Sequence, residues 1–511
     1  MKRVSLRMTV VLLLLAMLAT LFAACQEPGE GPAQTTDSVT TTEPSNETQE
    51  PDISHLDGLD YGDATVSIMH RGGGTFDAEF EADATSNDIV DQAVYKRNRQ
   101  VEAQLGVVLD YIPNNETGWQ TTYLQKIRAS VMNNDGAYDI FSGPAYHITT
   151  LIAENCYYNL SKAEYIDFSN PWWANGVSDG MAIDGKIYLC TGDISLGLVK
   201  YLHCLIFNED LMEDIYHDTY DLYQIVKDGD WTLDKMAEIT MGAFKDLEGG
   251  DNLPSAGDRF GYVVSDSNLL RAYIDAVNLN ILHVDENGNA ELWADNQAHV
   301  TEAIEALHDY FNTQDVYYIG NAAGEGTGLT AAYKIFKEQR SIFILGRLTD
   351  ISSTYRDIKD FTYGVLPLPK WSEEDEYGLT LCGSESTFGI SSALSESDID
   401  RASAVLEALC YYSYKEVTPV YYEEALQIKY DMSDDKAVML DYIRQAATFN
   451  PNCQLNILIN NGNPSDPKQA TDYSITYAIL HDSNWIGIYD AHKESWQYGL
   501  NSLVDMIKNQ E

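Results

Sequence analysis

Apolar and polar positions recur along this chain with two periods, and the switches between them mark successive strand–helix units. Ala64 to His70 is a short apolar-rich run broken by Arg71-Gly72-Gly73-Gly74, which predicts a first strand ending in a turn. Ile89, Val90, Ala93, Val94, Val101 and Leu105 then follow at helical spacing within 87–105. Val107 to Tyr111 predicts a strand, Tyr123 to Val131 a helix, and Tyr138 to Phe141 another buried strand. Strands alternating with helices in this way predict an α/β fold with a parallel sheet covered on both faces. Further along, Leu205-Ile206-Phe207 and Phe260 to Val264 predict strands of a second lobe. Trp231 to Thr240, Leu270 to Leu279 and His299 to Phe311 predict its helices, with Thr232 as an N-cap. Ser341 to Leu345 and Phe361 to Leu366 read as sheet again, and Ile399 to Tyr414 and Asp434 to Ala447 as helix.

The N-terminus follows another pattern. Lys2, Arg3 and Arg7 precede the nearly continuous apolar stretch Met8 to Ala24, which closes on Leu21-Phe22-Ala23-Ala24-Cys25. Small residues before a cysteine resemble a bacterial lipobox, although Phe22 stands where the pattern prefers Leu. The resemblance implies removal of 1–24 and lipidation of Cys25. The alternative is an uncleaved anchor, because the run nearly reaches the roughly 20 residues that a spanning helix needs. Gln26 to Gly62 carries Pro28, Pro32, Pro44 and Pro51, many acidic residues and no Lys or Arg. Such composition predicts an extended, mobile linker over 25–62.

Composition narrows the classes of partner. Lys and Arg total 32 against 79 Asp and Glu, a formal net charge of −47 that opposes nucleic acid and anionic membrane alike. With 34 Tyr, 8 Trp and 14 Phe, the chain is far too aromatic to be disordered. Its 511 residues leave room for two or three domains after the linker. Besides Cys25, the cysteines are Cys156, Cys190, Cys204, Cys382, Cys410 and Cys453, with no CxxC spacing. In a chain of this size they are expected to be mostly free, buried thiols.

A series of short motifs carries a family resemblance. Tyr138-Asp139-Ile140 and the segment ending at Tyr158-Asn159-Leu160 resemble a recurrent stretch of the extracellular solute-binding proteins that serve ABC importers, including the maltodextrin-binding type. Asp184-Gly185-Lys186-Ile187-Tyr188 followed by Leu205-Ile206-Phe207-Asn208-Glu209-Asp210-Leu211 is similar to their hairpin and helix entry. Asp230-Trp231-Thr232-Leu233-Asp234 resembles their "W-T" helix start. Phe336-Lys337-Glu338-Gln339-Arg340 and Tyr363-Gly364-Val365-Leu366-Pro367-Leu368-Pro369-Lys370 resemble a later crossing, with Gln339 where the family usually has Gly. The resemblance implies a two-lobed, periplasmic-binding-protein-like (type II) fold with a ligand cleft between doubly wound lobes and a hinge closed by ligand. The implied divisions are 63–170 for the first part of lobe 1, 171–335 for the first part of lobe 2, 336–398 for a return to lobe 1, and 399–511 for helices packed mainly on lobe 2. A lipid-anchored monomer on the outer face of a bacterial membrane would then hand a sugar or oligosaccharide to an importer's permease.

Ligand-binding candidates come from loops at strand ends, where open α/β sheets receive ligands. They are Arg71 and Gly72 after the first strand, Tyr146 and His147 after the third, and Asp266, Ser267 and Asn268 after the strand ending at Val264. Arg347 and the pair Glu385 and Ser386 follow later strands. Trp172 and Trp173 could form an aromatic platform for a sugar face, or pack into the core at the lobe junction. Catalytic signals are weak. Gly383-Ser384-Glu385-Ser386 lacks the spacing of a nucleophile elbow, and Ser433-Asp434-Asp435-Lys436 has no supporting motif. Asp285 to Asn296 fails as a calcium loop at Ala290 and Asn296, and Asn287-Gly288 reads better as a hairpin turn. The histidines show no H-x-x-x-H pair for zinc, and no cofactor is implied. The expectation is a non-catalytic binding protein; a surface hydrolase or adhesin is the alternative, separable by binding without turnover.

Overall fold

A computed structural model of the chain describes residues 51–73, 78–115, 119–174, 182–250, 253–265, 269–284, 290–318, 328–381, 383, 385–422, 434–448, 450–460 and 466–510. The leader, Cys25 and the linker as far as residue 50 lie outside these, as do Asp266, Ser267, Asn268, Asn287-Gly288, Cys382, Ser384 and Ser433.

The strands in chain order are β1 (Ala64–Arg71), β2 (Val107–Asn114), β3 (Ile140–Pro144), β4 (His203–Asn208), β5 (Phe260–Val264), β6 (Leu282–Val284), β7 (Ala290–Leu292), β8 (Val316–Tyr318), β9 (Ser341–Arg347), β10 (Tyr363–Leu366), β11 (Leu379–Thr380), β12 (Ser386–Ile390) and β13 (Ala447–Thr448). A four-stranded sheet has the order β12-β3-β1-β2, and a five-stranded sheet the order β10-β4-β9-β5-β8. The chain builds β1 to β3 in the first sheet, contributes β4, β5, β8, β9 and β10 to the second, and returns to the first with β12, while β6-β7 and β11-β13 form separate two-stranded pairs.

Local chemistry explains the first unit. The Asp88 carboxylate caps helix Ile89–Leu105 by accepting from the Val90 amide at 2.8 Å, and Gly106 ends the helix at φ 60. A side chain at Gly106 would also meet Asp60 Oδ1 at 2.3 Å, so glycine is doubly required. The turn sends the chain into β2, which runs parallel to β1 in register Ala64↔Val107 through Arg71↔Asn114. Pleating aims Val66 and Ile68 into one core and Met69 into another, so both faces of the sheet are covered.

The sheets are mixed rather than wholly parallel. β3 follows β1 in parallel, and β5 pairs in parallel with β8 and β9, as strand–helix alternation predicts. β12, β4 and β10 run antiparallel to their neighbours. β4 and β12 enter their sheets from the other sheet and not through a local crossover helix, so the parallel rule does not bind them.

Three expected boundaries move. Residues 51–62 fold: Ile53 and Leu56 are buried, and the Tyr61 amide donates to the Leu105 carbonyl at 2.9 Å. The four apolar side chains Ile53, Leu56, Leu59 and Tyr61 pack here against a window whose average composition is polar. Residues 171–174 and 190–192 remain with the four-stranded sheet, through the Trp173↔Gly192 and Cys190↔Phe388 bridges, so the passage to the second lobe comes after 170. Within 336–398, β9 and β10 belong to the five-stranded sheet, and β12 is the strand that returns. Helix Glu396–Tyr412 buries Ile399, Val405 and Leu406 in the core of the four-stranded sheet, whereas helix Asp434–Gln445 sends Met439, Leu440 and Ile443 into the core shared with the five-stranded one.

Helix Gly328–Lys337 ends where the family-like segment departs from its pattern. Gln339 adopts φ 57, the Gln339 amide donates to Phe336, and the Arg340 amide reaches back to Ile335 at 3.0 Å. This is a Schellman turn, and it puts Gln in a conformation that suits Gly. Thr232 caps helix Leu233–Thr240, accepting from the Lys235 amide at 3.2 Å. The described cysteines Cys156, Cys190, Cys204, Cys410 and Cys453 are free and buried.

Candidate functional site

A groove of about 240 Å³ lies among segments that connect and cover the two sheets. Pro171, Trp173, Ala174 and Tyr414 line it from segments packed on the four-stranded sheet, Asp441, Arg444 and Gln445 line it from helix Asp434–Gln445, and Tyr422 lies beside them. Asp193, Leu198, Val199, Leu202 and Ala447 complete it. The Trp173 side exists because 172–174 pairs with 191–193: the Ala174 amide donates to Thr191 and the Asp193 amide to Trp172. Gly192 permits that approach, since a Cβ there would lie 2.3 Å from the Trp172 carbonyl oxygen. Helix Glu396–Tyr412 continues into a wide π-type turn, Ser413–Val417, which carries Tyr414. Such turns are frequent at functional sites.

Arg444 joins the two sides. One guanidinium nitrogen donates to both oxygens of Asp193, at 3.1 and 2.9 Å, while the guanidinium lies 5.7 Å from the centre of the Tyr414 ring. Burial pushes the Asp193 carboxyl up to about 6 and the Arg444 charge opposes it. The Tyr422 hydroxyl oxygen is buried without a hydrogen-bond partner among the described residues. A buried hydroxyl left so is costly, and a polar ligand atom at this wall would satisfy it. Aromatic rings beside carboxylate, amide, guanidinium and hydroxyl groups suit a ligand with apolar faces and a polar rim.

Of the residues nominated from sequence, Trp173 lines this groove, although only 3% of its surface is exposed. Trp172 does not act as an exposed platform: it is fully buried, packed 5.1 Å from the Tyr411 ring centre. Glu385 and Ser386 are also interior. The Ser386 hydroxyl donates to the buried Glu79, its amide donates to Ser195 Oγ, and Glu385 accepts from Gln454 at 3.4 Å. Burial raises the Glu385 carboxyl to about 7.

Arg71, Tyr146 and His147 come together at the ends of β1 and β3, as their positions after parallel strands predict. The Tyr146 and His147 rings meet edge to face at 5.2 Å, and burial followed by the Arg71 charge lowers the His147 pKa. Gly72 passes so close to Asn115 that a Cβ would touch its Oδ1 at 2.1 Å. The partners of Tyr146 were not legible in sequence. Arg271 lies 6.0 Å from its ring centre and 5.0 Å from that of Tyr473, and pairs with the buried Asp472 at 2.9 Å. Arg347 is 3.7 Å from Asp350 and 5.4 Å from the Tyr201 ring centre, apart from the groove lining. Arg444, Asp441 and Gln445 were missed because helix 434–445 reads as an ordinary charged helix. Asp193 was missed because nothing local marks it. Among the described residues, no group of three or more His, Cys, Asp or Glu side chains could hold a metal ion.

The fold is a two-lobed, periplasmic-binding-protein-like α/β architecture. It is similar to that of a cyclo/maltodextrin-binding protein solved with maltotetraose, at 12% identity and a TM-score of 0.50, over 87% of this chain and 96% of the other. It is also similar to the sugar-binding protein MalE from the phytopathogen Xanthomonas citri, at 13% identity and a TM-score of 0.50, over 88% of this chain and 100% of that one. At such identities the likeness is one of fold. No protein-family model matches the sequence, and no curated protein matches it.

Proposed function

We propose that this chain is a non-catalytic extracellular solute-binding protein that captures a carbohydrate between its two lobes and delivers it to an ABC importer. The observation that carries the reading is the groove itself, with Trp173 beside the four-stranded sheet and Arg444 on a helix of the other lobe facing one space. A ligand gripped from both sides favours the closed arrangement by its differential contacts. The solved proteins of similar fold are described as maltodextrin-binding and sugar-binding, which supports carbohydrate as the ligand class. Among the described residues no helix is long and apolar enough to cross a membrane. Attachment is assigned to a lipid on Cys25, and residues 26–50 serve as the tether that keeps a monomeric receptor near its permease. Trp173→Ala tests the site: a glycan that binds the native chain should bind this variant at least tenfold more weakly. Unchanged affinity would remove the groove from the account.

A further inference from the structure

Glu407 lies on helix Glu396–Tyr412, entirely buried, with no cation among its hydrogen-bond partners. Its carboxylate instead gathers four N–H donors. Oε1 accepts from the Trp172 indole and the Asn170 amide, both at 3.1 Å. Oε2 accepts from the Trp173 indole at 2.9 Å and the Asp167 backbone amide at 3.4 Å. Three of the donors lie within Asn170-Pro171-Trp172-Trp173, the segment that walls the groove.

The arrangement is costly if its purpose is packing alone. Placing a carboxylate in a protein interior carries a large desolvation penalty, and an apolar residue of the same volume would fill the space without it. What the carboxylate adds is direction. Charge-assisted hydrogen bonds are short and angle-dependent, so two indole N–H groups aimed at one carboxylate fix both ring planes. Trp172 needs little such help, since Tyr411 and Tyr414 pack against it. Trp173 packs against the Phe168 ring at 5.2 Å and is among the residues that line the groove, with 3% of its surface exposed. Among the described rings, one packs against Trp173 where two pack against Trp172, so the Glu407 bond is the directional contact that sets the Trp173 ring plane.

We infer that Glu407 is a positioning residue for ligand capture: it orients the Trp173 ring as the aromatic wall of the groove, acting through the indole N–H rather than touching the ligand. This rests on the groove being the carbohydrate site. Two readouts on the full chain test it. In a Trp172→Phe background, acrylamide quenching of tryptophan emission, corrected by the matched Trp173→Phe control, reports the Trp173 ring without any ligand. Glu407→Gln should raise its quenching constant at least twofold. The second readout is titration with maltotetraose and raffinose. For whichever sugar binds, Glu407→Gln should raise Kd about tenfold in the native chain and less than twofold in a Trp173→Ala background, because the effect travels through that ring.

Asn170→Ala, which withdraws one donor and keeps the charge, is the second variant should Glu407→Gln not fold. It should move both readouts the same way by a smaller factor. Unchanged quenching, or an equal loss of affinity with and without Trp173, would overturn the assignment. If Trp173→Ala leaves sugar binding intact, the groove reading fails first and the affinity argument falls with it. If neither sugar binds, the quenching result still decides whether Glu407 orients the ring.

Discussion

Asp193 and Arg444 come from segments 251 positions apart and meet through two hydrogen bonds, at 3.1 and 2.9 Å, from a single guanidinium nitrogen. The carboxylate is almost fully enclosed and the arginine is about a third exposed. The pair therefore fastens helix Asp434–Gln445 to the wall that carries Trp173.

Removing the cation leaves a buried charge uncompensated, which costs more than the pair itself contributes. Arg444→Met is expected to lose about 1–3 kcal/mol at pH 8, discounted for the exposure of the arginine. The loss should shrink below about pH 6, where Asp193 takes up a proton and needs no partner. Chemical denaturation of both chains at pH 8 and pH 5 measures the difference.

The buried carboxyls also set the pH dependence of the native fold. Burial raises both Glu385 and Glu407 to about 7, above the usual carboxylate range. Between the ordinary value and 7, the folded chain binds protons that the unfolded chain has released, so stability falls as pH rises through that window. Self-repulsion at a net charge of −47 acts in the same direction. Tm should therefore rise as pH is lowered from 8 to about 5.5, and Glu407→Gln should flatten part of the slope.

Gln339 holds φ 57 at the end of helix Gly328–Lys337, in the left-handed region that costs an L-residue roughly 1–2 kcal/mol. Gln339→Gly should stabilise the chain by about 0.5–1 kcal/mol, the relief of strain being partly offset by the greater freedom of glycine when unfolded. Thermal unfolding of the single variant checks this, and a loss of stability would contradict the Schellman geometry.

Much of the architecture was legible because β2 alternates buried and exposed positions at its start, and β3 and β5 are short, mostly apolar runs buried at every position. Periodicity could not reveal that β4 and β12 arrive from the opposite lobe, because strand direction is set by long-range connection and leaves no local period. Ile53 and Leu56 were hidden by the polar composition around them. Trp172-Trp173 stood out as a pair, yet both are buried and Trp173 alone of the two reaches the groove lining, while both indoles converge on Glu407, which in sequence is one more acid on a helix. Tyr146 was nominated from its place after a parallel strand and sits beside Arg271 rather than in the groove lining, whereas Arg271, Asp472 and Arg444 acquire meaning when helices far apart in the chain come together. Side-chain convergence of that kind has no signature at the level of spacing.

The decisive measurement is calorimetric titration of the full chain with a panel of neutral oligosaccharides and matched uronic-acid oligomers, with recovery of the sugar afterwards. In the groove, Arg444 is committed to Asp193, and Asp441 adds a further negative charge. A neutral glycan is therefore predicted to bind saturably at one site and more tightly than its acidic counterpart. It should come back intact and, at 100 times Kd, stabilise the fold by about 2.7 kcal/mol. Flat titrations across the whole panel, or recovery of cleaved sugar, would contradict capture by a closing pair of lobes.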